Sequence, residues 1–105
     1  MTVRAEQESE FRTVVYSLPD GAPEVPMPYG GGHLAPSHIR IKLNWQAHTG
    51  LCTGKARVFG KWRNPGGDLT DRLEDVEFRL DAHWAPDWVV DLVHAACPVG
   101  WKMER

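Results

Sequence analysis

Between residues 38 and 63 the chain places six cations and no acid: Arg40, Lys42, Lys55, Arg57, Lys61 and Arg63. Cations spaced along extended chain, with Phe59 among them, are the residue types that follow a phosphate backbone and stack on bases. The formal net charge of −2 hides this, because residues 64–91 carry eight acids against Arg72 and Arg79. A chain sorted in this way can present a basic surface while being mildly acidic overall. The competing reading is a solvated sheet face, where Glu77 and Asp81 pair across strands with Lys55, Arg57 or Lys61. Nucleic-acid binding therefore requires the six cations to converge and to escape neutralisation by Glu77 and Asp81.

Two histidine–cysteine pairs come next. His48 with Cys52, and His94 with Cys97, supply the four nitrogen and sulfur donors of a tetrahedral zinc site. Their spacings match no common zinc module, and neither pair is a Cys-x-x-Cys knuckle. A zinc-stabilised domain is thus a third reading, conditional on all four residues meeting at one point; no cofactor is expected. Neither cysteine has a local signature of a catalytic nucleophile. Asp91 and His94 could form an acid–base pair, but solvated helix faces carry such pairs routinely. Residues 50–55, Gly-Leu-Cys-Thr-Gly-Lys, are one residue short of a phosphate loop and lead into a strand pattern. An enzyme is not expected.

Periodicity supplies the elements that must hold these residues. Residues 11–18 are rich in β-branched and aromatic side chains and read as a first strand. Residues 38–45 alternate, with Ile39, Ile41, Leu43 and Trp45 on one side and His38, Arg40, Lys42 and Asn44 on the other. Residues 55–63 repeat the pattern, Ala56, Val58, Gly60 and Trp62 lying opposite Lys55, Arg57, Phe59, Lys61 and Arg63, with Gly60 marking a bulge. Val76, Phe78 and Leu80 point inward from a fourth strand over 76–81, which an acidic stretch precedes. One helix is expected over 86–96, with Pro86 at its first position, Trp84 stapled to Val89, and an apolar stripe of Trp88, Val89, Leu92, Val93 and Ala96.

Residues 19–37 hold five prolines and four glycines and read as a long loop. It either presents Met27 and Tyr29 to a partner in an extended conformation or folds over a sheet edge. Residues 1–10 read as a polar tail. They carry no hydrophobic stretch of a signal peptide, no segment has the length of a membrane span, and two cysteines make no disulfide framework, so a cytoplasmic protein is expected. Five tryptophans in 105 residues supply a large share of the core.

The expected fold is a single α+β domain: a four-stranded, mostly antiparallel sheet packed on one C-terminal helix, with a small β-barrel carrying an appended helix as the alternative. The first functional expectation is a small non-enzymatic binding or accessory domain acting through a protein partner or a homodimer. A nucleic-acid-binding module on strands 38–45 and 55–63 is the second.

Overall fold

The computed structural model describes residues 9–79 and 85–103. Four long strands form an antiparallel meander in the order β1-β3-β4-β5: β1 (Ser9–Ser17), β3 (His33–Gln46), β4 (Leu51–Arg63) and β5 (Leu69–Arg79). Two-residue strands flank them, β2 (Val25–Pro26) antiparallel to β3 and β6 (Lys102–Met103) parallel to β4. The helix α1 (Asp87–Ala96) covers the apolar face of the sheet. The α+β class and the antiparallel sheet on one C-terminal helix follow the expectation, and the sheet is not closed into a barrel: β1 and β5 are its two edges.

The alternation in β3 and β4 buries what it should. Ile39, Ile41, Leu43, Ala56 and Val58 join Val76, Phe78, Val89, Val93 and Ala96 in one core. Around it pack the half-buried Trp45, Trp88 and Trp101, with the rings of Trp45 and Trp101 stacked 5.7 Å apart. Burying such side chains stabilises by roughly 2 kcal/mol each, enough to hold a helix of α1's length that would be marginal alone.

Four strand starts differ from the periodic reading, among them β4, which begins at Leu51 and not at Lys55. β1 begins at Ser9, so the last residues of the expected tail are strand. β3 begins at His33, inside the expected loop. A bulge lies between Pro36 and His38, where Ser37 is the extra residue opposite Gly60 and Phe59. It switches the inward set from Leu34 to Ile39, so no constant period of two spans both halves. Gly60 is not itself the bulged residue; it faces the bulge, and a Cβ there would run into the Ala35 carbonyl oxygen. Finally, the acidic stretch is part of β5, which starts at Leu69. Pro86 occupies the N-cap rather than the first helical position, its carbonyl accepting from Val89 N–H and Val90 N–H. Leu80, Asp81 and Trp84 lie outside the described residues.

The helix cannot cover the whole face. Ten residues of helix extend about 15 Å, whereas the fourteen of β3 extend about 46 Å. At the other end the segment 19–32 folds back along the edge of β3. Val25 pairs with Leu34, and both are fully buried. The Trp62 indole N–H donates to the Gly31 carbonyl at 2.7 Å, and Arg63 grips Glu24 through Nε and Nη2 at 2.9 Å. The edge-covering reading of the proline-rich segment is the one the structure adopts.

Replacing Gly60 by Ala forces backbone apart at the bulge and is expected to cost about 3 kcal/mol. That loss, measured by urea unfolding, should exceed the cost of Val58→Ala only if the close approach is rigid. A Gly60→Ala protein as stable as the parent would show that the bulge can relax.

Candidate functional site

The open face of the sheet is built by register. β3 presents His38, Arg40 and Lys42; opposite them on β4 stand Phe59, Arg57 and Lys55. Arg40 therefore faces Arg57, and Lys42 faces Lys55. These four cations and Glu77 line one shallow depression. Like charges directly opposite in an antiparallel pair destabilise it, typically by a few tenths of a kcal/mol to about 1 kcal/mol.

Acids answer only part of this charge. Arg57 binds Asp75 at 2.7 Å and Glu77 at 3.2 Å, an arrangement that raises the pKa of its guanidinium further, Glu77 contributing most. Lys61 lies 3.6 Å from Asp71, and Arg63 is held by Glu24. Arg40, Lys42 and Lys55 make no ion pair among the described residues. Thus the six cations do not converge. Arg40, Lys42, Lys55 and Arg57 form one group, of which three have no ion pair among the described residues, while Lys61 and Arg63 sit farther along β4 with acids of their own. Asp81 lies outside the described residues.

Phe59 is not a bare ring on this face. Its ring stacks on His38, with centroids 4.6 Å apart and planes 5° from parallel, and the Arg40 guanidinium lies 5.4 Å from its centre. With these neighbours Phe59 serves as a platform that orients Arg40, through a cation–π contact, rather than as a free surface for a base. The exposed ring on this face is Phe11 of β1, opposite Asn44, which no motif marked in the sequence.

The remaining candidates are dispersed. Met27 packs against the core, while Tyr29 is fully exposed in a left-handed conformation with φ 59°. Cys52 is buried beside Cys97, and its thiol is pushed up to about 11, chiefly by burial and then by that neighbour. A thiol so protonated at neutral pH is a poor nucleophile and a poor metal ligand. His48 and His94 are exposed, and among the described residues no three His, Cys, Asp or Glu side chains cluster as metal ligands. The four expected zinc donors are therefore not brought together. Asp91 and His94 lie on the exposed side of α1, and residues 51–55 are strand, so no phosphate loop forms.

No helix among the described residues is long and apolar enough to cross a membrane. Compared with known protein families, curated proteins and solved structures, the chain gives no significant match.

Two outcomes follow from these charges. Lys42→Glu replaces a repulsive cross-strand pair with an attractive one and should raise stability by about 0.5 kcal/mol at low salt, a gain that shrinks as salt is added. Unfolding curves at two ionic strengths check this; a loss of stability would mean that the repulsion is not felt. Separately, the Arg63 hydrogen bonds hold the Glu24 carboxyl below its ordinary 4.5. On acidification the unfolded chain takes up that proton before the folded one, so the pair's stabilisation is present above 4.5 and is lost as pH falls through the lower folded value. Glu24→Gln should remove that part of the acid sensitivity, a modest effect for a half-buried pair, read as a smaller drop in melting temperature between pH 6 and pH 3.

Proposed function

We propose that this domain binds nucleic acid through its phosphate backbone, not on six converging cations, which the register divides, but on the narrower open-face group around Arg40, Lys42 and Lys55. The observation that carries the reading is the pair of like-charge oppositions, Arg40 to Arg57 and Lys42 to Lys55, on adjacent strands of a solvated face. A face selected for stability alone would alternate signs across the strands; β4 and β5 do so where Arg57 meets Asp75 and Glu77, but Lys55 also faces Arg79, a further like-charge opposition. An incoming polyanion relieves the repulsion, and counterion release drives its binding. The guanidinium of Arg40, seated over Phe59, offers a directed fork for phosphate oxygens, and the two lysines act as point charges beside it. With the Phe59 ring occupied by His38 and Arg40, the contacts are to phosphate and not to base edges, so little sequence preference is expected.

A labelled mixed-sequence oligonucleotide, single- and double-stranded, titrated at several salt concentrations tests this. Three cations with no ion pair among the described residues predict a slope of about −2 to −3 in log affinity against log salt, the shallower value for single strands. Lys42→Ala or Lys55→Ala should reduce its magnitude by about one, and Lys42→Glu should abolish binding while leaving the fold more stable. Lys61→Glu, at a cation already beside Asp71, should change little. Absence of binding at low salt, or equal loss from Lys61→Glu and Lys42→Glu, overturns the proposal.

A further inference from the structure

The two edges of the sheet are protected unequally. An edge strand is a template for another chain unless charge, proline, a bulge or a cover blocks it. β5 is guarded along its length by Asp71, Arg72, Glu74, Asp75, Glu77 and Arg79, and its register with β4 is interrupted. β1 is guarded less: it carries Glu10 and Arg12, but from Thr13 to Ser17 it has neither charge nor proline, and it pairs with β3 without a break. Among the described residues no strand pairs with its outer side. It also exposes two large apolar side chains on the open face, Phe11 at 76% and Val15 at 58%.

We infer that β1 pairs antiparallel with β1 of a second copy about a twofold axis at Thr13. Residues directly opposite in an antiparallel ladder project from the same face, so a symmetric pairing must be centred on a residue and not between two. Among such registers, the one centred on Thr13 sets Phe11 opposite the partner's Val15 and Val15 opposite the partner's Phe11. The two Thr13 side chains meet on the axis. Aromatic–β-branched and Thr–Thr oppositions are the favourable cross-strand pairs, and here one register makes all three and covers both exposed apolar groups. Centring on Val14 instead would leave Phe11 against Ser17. The contact is isologous and closes on itself, giving a dimer and not a fibre.

The twofold axis runs perpendicular to the sheet, so both open faces point the same way. The two β3 strands then lie three strand spacings apart, about 14 Å, and the Arg40 and Lys42 groups of both copies flank the axis on one continuous surface. The inference does not depend on nucleic-acid binding, and its test contains no nucleic acid.

Sedimentation velocity over a concentration series should show wild-type dimer replaced by monomer for Val15→Lys, whose melting temperature is lowered modestly by a lysine set opposite Arg40 and no longer depends on protein concentration. A short bis-maleimide should link Thr13→Cys into a covalent dimer. Ser17→Cys should not be linked, since the two Ser17 positions would stand about 27 Å apart along the strands; it shares Cys52 and Cys97 and so controls for them. A wild-type protein that stays monomeric throughout, a Val15→Lys dimer, or cross-linking at Ser17 in place of Thr13 overturns the inference.

Discussion

The extra residue Ser37, seated in β3 against Gly60 of β4, is the constraint on which the rest of the sheet depends. Leu34 precedes it and Ile39, Ile41 and Leu43 follow it, and all four are buried. A strand of unbroken period would turn one of these groups to solvent, at roughly 2 kcal/mol for each side chain exposed. The bulge removes the conflict and stays satisfied: the Ser37 carbonyl accepts from Leu18 N–H at 2.9 Å, and its hydroxyl donates to the Phe59 carbonyl at 3.2 Å. Pro36 fits beside it, where a missing N–H breaks no ladder bond that the sheet needs. The same residue shift sets His38 opposite Phe59, and so places the ring over which Arg40 rests.

Much of the fold was legible because β3 after Ser37, and β4 from Lys55 onward, keep the alternation that a half-buried strand requires, while Leu51 to Gly54 were hidden by the glycines that bracket them. The parts that were not legible fail for identifiable reasons. His33 to Pro36 read as loop because the bulge breaks the period and because prolines and glycines surround them. Leu69 to Asp75 read as an acidic lead-in because Leu69 and Leu73 are exposed, and no apolar face shows in that half of β5. Its extended conformation rests instead on pairing with β4, including Asp75 to Arg57 and Asp71 to Lys61, which only the neighbouring strand reveals.

The site was legible as a composition and not as a geometry. Six cations on two alternating strands were visible, yet register divides them into a group of four and a pair with acids of its own. Glu24, the partner of Arg63, lies 39 residues away in sequence, and no local pattern connects them. Phe59 was visible as the one ring among cations, but its platform role depends on His38 arriving opposite it. The histidine–cysteine spacing failed as a zinc signal because Cys52 is turned into the core by strand alternation, while His48 and His94 face water.

The division of the apolar face between two covers gives the molecule unequal local lifetimes. Under α1 the sheet is closed by Val89, Val93 and Ala96 and by stacked tryptophans, so amide protons there exchange only when most of the protein opens. At the far end the cover is a short hairpin held by one indole hydrogen bond, a half-exposed ion pair and Val25. That end opens at a lower free energy, as a subglobal unit, without disturbing the helix. Each such opening uncovers Leu34 and the edge of β3 beside it. Among the described residues, proteolytic nicking is therefore expected first at the proline-rich end.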